Sequence, residues 1–234
     1  VIIMQFPLVS AVMFAATALI VASAVVAWNQ RAVPGGTSFV VFLGCAAVWA
    51  WTYGVQLLFT DLDRQLLVTN FQYPAGLFTC LAFGAFAVNY TGRNHYLTWG
   101  RLAALAVLPV VTSVVIWIPG LEWLVRREAT IVRVGSFLIA DIDAGPLFGF
   151  AVAYCYLIVI TGLCLLGLTA VRTRALYQKQ VALITLTAFV PLIGGGVAYV
   201  FDSTVIDYTP VGLAVFGVGV AVALSLDGHP SVVG

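Results

Sequence analysis

Two long apolar runs, residues 37–59 and 66–90, are joined by only six residues, 60–65. A connection that short can do nothing but reverse the chain. A helix rises about 1.5 Å per residue, so roughly 20 apolar residues are enough to cross a hydrocarbon core about 30 Å thick. Both runs reach that length, and the stretch 34–76 therefore reads as a membrane hairpin. In its first arm Trp49, Tyr53 and Gln56 recur at i, i+4 and i+7, which puts them on one helical face. In its second arm Asn70 and Tyr73 sit three apart, with Gln72 beside them.

The rest of the chain has the same character. Of 234 residues 62% are hydrophobic and 8% charged, and the mean hydropathy is +1.09; an ordinary soluble domain carries about 25% charged residues. No water-soluble fold could hide this much apolar surface, so the lipid bilayer is the expected solvent and partner. A net charge of +1 gives no reason to expect a nucleic acid as partner. All four cysteines, Cys45, Cys80, Cys155 and Cys164, fall inside apolar runs, where a thiol behaves as a small hydrophobe. No disulfide framework and no metal site is expected, and a Cys45–Cys80 contact between the hairpin arms is left open.

Seven spanning helices are expected, at about 7–28, 37–59, 66–90, 102–118, 147–170, 181–201 and 210–226, forming one domain over 1–234. The fold class is an all-α integral membrane bundle. The first run is too long for a signal-peptide core, lacks a basic flank and has no small-residue exit before Trp28. Thr60 and Asp63 have capping-box spacing for the third helix, and Pro109 should kink the fourth. In the one long connection, 119–146, the runs ATIVRV and SFLIAD flank Gly135 and suggest a short β-hairpin over the membrane face. Pro191 and Gly194-Gly195-Gly196 should loosen the sixth helix, with close packing favoured over a hinge as the use of the glycines.

Charge sets the orientation. The connections after helices one, three and five hold Arg31, Arg93, Arg101, Arg172, Arg174 and Lys179 and no carboxylate. Those after helices two, four and six hold Arg64, Arg126, Arg127 and Arg133 against Asp61, Asp63, Glu122, Glu128, Asp141, Asp143, Asp202 and Asp207. The positive-inside rule makes the first set cytoplasmic, which puts the N-terminus outside and the C-terminus in the cytoplasm.

Tyr53, Gln56, Asn70, Gln72, Tyr73, Trp117, Tyr199 and Tyr208 then fall in the outer half, with Trp49 and Tyr154 deeper. An aromatic belt accounts for Trp117, Tyr199 and Tyr208. It does not account for the amides, which in lipid need partners inside the protein. Trp49, Tyr53, Gln56, Asn70, Tyr73 and Tyr154 are therefore the candidate ligand-binding residues, with a purely structural polar cluster as the alternative.

No charged residue lies in the middle of a spanning helix, which argues against proton pumps, ion-coupled carriers and voltage sensors. The seventh helix has no lysine for a retinal Schiff base, so no cofactor is expected. His95 and His229 read as solvated loop residues. No phosphate-binding glycine pattern, nucleophile elbow or paired membrane carboxylates occur, and no catalytic residue is assigned. Gly145 and Gly149 have the spacing of a helix-dimer motif compatible with a homodimer, weakened by Pro146.

Trp28, Arg31 and Pro34-Gly35-Gly36 follow the first helix, and Trp49 and Tyr53 lie in the second. Gln72-Tyr73 lies in the third, and Tyr90-Thr91-Gly92-Arg93 and Leu97-Thr98 follow it. Then come Pro109, Gly145-Pro146, Tyr154, Tyr156, Tyr177, Gln180, Pro191, and Asp207 with Thr209-Pro210. In this order and spacing the chain resembles the N-terminal seven-transmembrane sensor region that precedes histidine kinase, PAS or cyclase modules in archaea and bacteria. The resemblance covers nearly the whole length. It implies a multi-pass receptor of the cell membrane that detects a signal at the outer half and passes it to a cytoplasmic output domain.

There are two departures. Gln56 stands where similar members often carry an acid. The family's seventh helix commonly runs on into a basic segment and an output domain, whereas here SLDGHPSVVG follows it. The expectation is either a trimmed receptor or a free-standing accessory subunit that packs against a partner membrane protein; a transporter is the least supported reading.

Overall fold

The computed structural model describes residues 4–172, 175–200 and 206–225, with side-chain surroundings for all of these except 175–179, 194–200, 224 and 225. Apolar segments become helices because in lipid each backbone N–H and C=O has to be satisfied within its own segment. Among the described residues there are seven: α1 (Leu8–Asn29), α2 (Gly36–Gln56), α3 (Leu62–Tyr90), α4 (Trp99–Val115), α5 (Pro146–Arg172), α6 (Ala175–Val200) and α7 (Thr209–Ser225). Two strands, β1 (Arg126–Val134) and β2 (Phe137–Ala144), pair antiparallel between α4 and α5. Helices α1, α2, α3 and α5 are long and apolar enough to cross a membrane. Helix α4 has 17 residues, about 26 Å of rise, and the described apolar stretches of α6 and α7 are also shorter.

The helices form a closed ring in the order α1, α2, α3, α5, α6, α7, with α4 set against α3 and α5. Helix α4 buries only Pro109 and Thr112. Leu8, Phe150, Leu157, Val171 and Leu186 are exposed around the bundle, a surface untenable in water and natural in lipid. Inside, Phe39, Phe42, Phe83, Phe86 and Phe216 form one aromatic cluster, with Phe216 of α7 edge-on to Phe42 at 5.4 Å. Threonine hydroxyls bond back to their own helices, as Thr69 does to the Gln65 carbonyl and Thr79 to the Ala75 carbonyl, so they leave no polar atom facing lipid.

The start of α3 differs from the expected cap. Asp61 takes the N-cap position, and its carboxylate accepts from the Arg64 N–H at 3.2 Å. An acid at the cap itself satisfies an orphan donor directly, so Thr60 does not fill that role. α3 also contains Pro74. The Cys45–Cys80 contact is not formed; the Cys80 thiol is hydrogen-bonded with Cys155 of α5 instead. The surroundings of Gly194-Gly195-Gly196 and Tyr199 lie outside the described residues, as do Arg174, Lys179, Asp202 and His229.

The hairpin covers one end of the ring over α1, α2 and the start of α3. Its turn is Gly135-Ser136, between paired Val134 and Phe137. Gly135 has φ of +59°, the left-handed start that a two-residue hairpin turn prefers, and among the described residues no non-glycine has positive φ. Gly135→Ala should cost the hairpin about 1 kcal/mol, read as faster amide exchange across 126–144. The hairpin's inner side, Phe137 and Ile139, packs on Met13, Tyr53, Leu57 and Ile206. The outer edge of β2 is covered by side chains. Gln5 Oε1 accepts from the Leu138 N–H at 2.9 Å, and Gln65 Oε1 accepts from the Ala140 N–H at 2.7 Å. Two amides thus stand in for a third strand on an edge that would otherwise be unpaired.

Candidate functional site

Between α2, α3, α5, α6 and α7 a cavity of about 370 Å³ runs from the hairpin end to the aromatic cluster. Helical periodicity builds its walls. α3 contributes Thr69, Gln72, Tyr73, Gly76, Cys80 and Phe83, and α5 contributes Phe148, Val152, Cys155, Tyr156 and Val159; both sets recur at three and four residues and so face one way. Trp49 comes from α2, while Pro191 and Leu192 come from α6. Phe42, Phe83 and Phe216 close the cavity at the end away from the hairpin. Apolar walls with a few placed polar groups are what a small-molecule site requires.

The six candidate residues separate in space. Trp49 and Tyr73 line the cavity, and Gly76 lies against the Trp49 indole in the same wall. Tyr73 also packs edge-on against Phe148 at 4.9 Å. Tyr53 is buried beside the cavity, and its hydroxyl accepts from the Asp207 N–H at 3.0 Å, tying α2 to the start of α7. Gln56, also buried, accepts from the Gln72 side-chain amide at 2.6 Å, so each hairpin amide partners the other. Asn70 accepts from the Arg126 guanidinium at 3.2 Å, holding the foot of β1 on α3.

Tyr154 lies elsewhere. It lines a separate space of about 260 Å³ between α3, α4 and α5, and its hydroxyl donates to the Leu105 carbonyl at 2.8 Å. That carbonyl is four residues before Pro109 and has lost its helical donor. Tyr154 thus satisfies the backbone group that Pro109 leaves open in α4.

Three groups at the cavity carry chemistry that spacing alone did not mark. Asp207 is the one carboxylate in the lining among the described residues, and its side chain accepts from the Thr209 N–H at 2.8 Å at the start of α7. Burial raises its pKa above the ordinary carboxylate value, opposed by the hydrogen bonds from Thr209. The Asp207-Tyr208-Thr209-Pro210 order, an acid ahead of a helix-starting proline, was the available cue. Cys80 and Cys155 meet across the α3–α5 wall. Pro191 lines the cavity on α6 while Gly212 of α7 packs against its backbone, so the wall and the α6–α7 contact are one surface.

Fold and cavity together define a multi-pass helical membrane bundle with an internal small-molecule-sized site. The chain matches the family described as the N-terminal 7TM region of histidine kinase over residues 12–227, and it belongs to that family. The resemblance read from the order of Trp28, Gln72-Tyr73, Tyr90-Thr91-Gly92-Arg93 and Asp207-x-Thr209-Pro210 is thereby confirmed. No curated protein matches the chain.

Proposed function

We propose that the chain is the sensory input module of a signalling protein in the cell membrane, with seven spans, the N-terminus outside and the C-terminus in the cytoplasm. The observation that carries this reading is a cavity of about 370 Å³ lined by five helices, with the hairpin packed beside it on Tyr53 and Ile206. The hairpin end bears Arg64, Arg126, Arg127 and Arg133 among the carboxylates Asp61, Asp63, Glu122, Glu128, Asp141 and Asp143, whereas the opposite connections bear Arg31, Arg93, Arg101 and Arg172, followed in sequence by Arg174 and Lys179, with no carboxylate among them. The basic residues are thus six against four in favour of the opposite end, and by the positive-inside rule the hairpin end faces out. A ligand that presses on Pro191 and Leu192 shifts α6 where a proline has already removed a backbone hydrogen bond. Gly212 and Gly219, packed on Pro191 and Thr187, pass that shift to α7, which leads toward the cytoplasmic output.

The test fills the cavity. A Cβ at Gly76 would meet the Trp49 ring at 3.7 Å, an ordinary contact, and Gly76 lines the cavity, so the ring of Gly76→Phe is directed at ligand space, with the protein level as the check that the variant folds. In cells carrying the receptor with its output, the signal-dependent response should fall by about tenfold or more at unchanged protein level, the loss expected from roughly 1.4 kcal/mol of lost ligand binding. An unchanged response rejects the cavity as the input site.

A further inference from the structure

We infer that the cavity takes an amphiphilic organic cation: a compact apolar or aromatic body carrying one protonated amine, seated with the amine at Asp207 and the body between Trp49 and Tyr73. This rests on the reading of the cavity as the input site. The argument is one of charge compensation. Among the described residues Asp207 is the only charged side chain lining the space, and no cation lies in the lining. The Thr209 hydrogen bonds occupy part of the carboxylate and leave its charge without a counter-ion in a low-dielectric site, where an unpaired charge is costly.

An anionic ligand would add a second negative charge, and a neutral one would leave the first uncompensated. A cation removes the cost and also gains the aromatic faces of Trp49 and Tyr73, which attract positive charge through the ring quadrupole. The remaining walls, Val152, Val159 and Leu192, are apolar and match a hydrocarbon body. Burial lifts the pKa of Asp207, and the positive charge of a bound amine would pull it back down.

The experiment uses three probes with one body: 2-(2-naphthyl)ethylamine, 2-(2-naphthyl)ethanol and 2-naphthylacetate. Binding to the purified chain in detergent is measured by calorimetry at pH 7, with Gly76→Phe protein as the blank for partition into micelles. The amine should bind about tenfold more tightly than the alcohol, the scale of a charge-assisted hydrogen bond, and the acetate should not bind. Asp207→Asn keeps an acceptor for the Thr209 N–H and so keeps the helix start; it should erase the amine's advantage and leave the alcohol unchanged, while Asp207→Glu retains the preference.

The inference is overturned if the alcohol or the acetate binds as tightly as the amine, if Asp207→Asn keeps the preference, or if no probe binds above the blank. Failure of the charge preference with binding still blocked by Gly76→Phe leaves the sensor reading standing. Amine binding that depends on Asp207, beside an output indifferent to Gly76→Phe, sinks the sensor reading and leaves the inference.

Discussion

Gly212→Val should separate α6 from α7 and cost about 3 kcal/mol, the upper range for overpacking a close-packed interior. A Cβ on Gly212 would lie 2.6 Å from the Pro191 Cα and 2.7 Å from the Pro191 nitrogen. Both are backbone atoms and cannot rotate away, so the whole helix has to move. Gly219 provides the internal comparison. Its Cβ would meet the Thr187 side chain at 2.7 Å, and that side chain can change rotamer, so Gly219→Val should cost less. Thermal unfolding in detergent should rank the wild type above Gly219→Val and Gly219→Val above Gly212→Val. Equal melting of Gly212→Val and wild type would mean that the two helices are not held at this distance.

Gln65→Leu should release the hairpin. Gln65 is 0% exposed, and its one side chain serves three backbone groups. Its Nε2 donates to the Phe59 carbonyl at 2.7 Å and the Leu138 carbonyl at 3.2 Å, while its Oε1 accepts from the Ala140 N–H at 2.7 Å. Leucine has nearly the same size and no polar atoms. The Ala140 N–H would then be buried with no acceptor from residue 65, at about 1 to 3 kcal/mol, and the Phe59 carbonyl would add to that. The Leu138 carbonyl keeps Gln5 as donor, so β2 loosens from Ala140 onward. Amide exchange should accelerate at Ala140 and Ile142, with the α1–α2 contact unaffected. Unaltered protection at Ala140 would show that the glutamine clamp is not what fixes the hairpin.

The helices were legible because lipid leaves one solution for an apolar segment, and the hairpin because ATIVRV, Gly135 and SFLIAD carry both a strand pattern and a turn residue. The site was legible only where periodicity carried it. Trp49 and Tyr73 point inward because their positions on α2 and α3 do.

Periodicity within one helix does not say which neighbour a polar group will meet. Gln56, a candidate ligand-binding residue, finds its partner in Gln72 on the next helix, as the structural alternative for the amides allows. Asn70 is taken by Arg126, a residue 56 positions away on a strand. Tyr154 answers a vacancy created by a proline on another helix, which no local pattern encodes. Asp207 was read as one of several loop acids, because its place in the cavity wall depends on where the segment before α7 folds back against α2.

The central claim is that the hairpin end of the bundle faces the exterior, and labelling with a membrane-impermeant maleimide tests it most directly. Ser136→Cys places a thiol in the hairpin turn and Arg93→Cys places one at the opposite end of the bundle. In intact cells Ser136→Cys should label fully, and Arg93→Cys should label only after the membrane is permeabilised. Labelling of Arg93→Cys in intact cells, with Ser136→Cys protected until permeabilisation, would turn the cavity toward the cytoplasm and contradict the account.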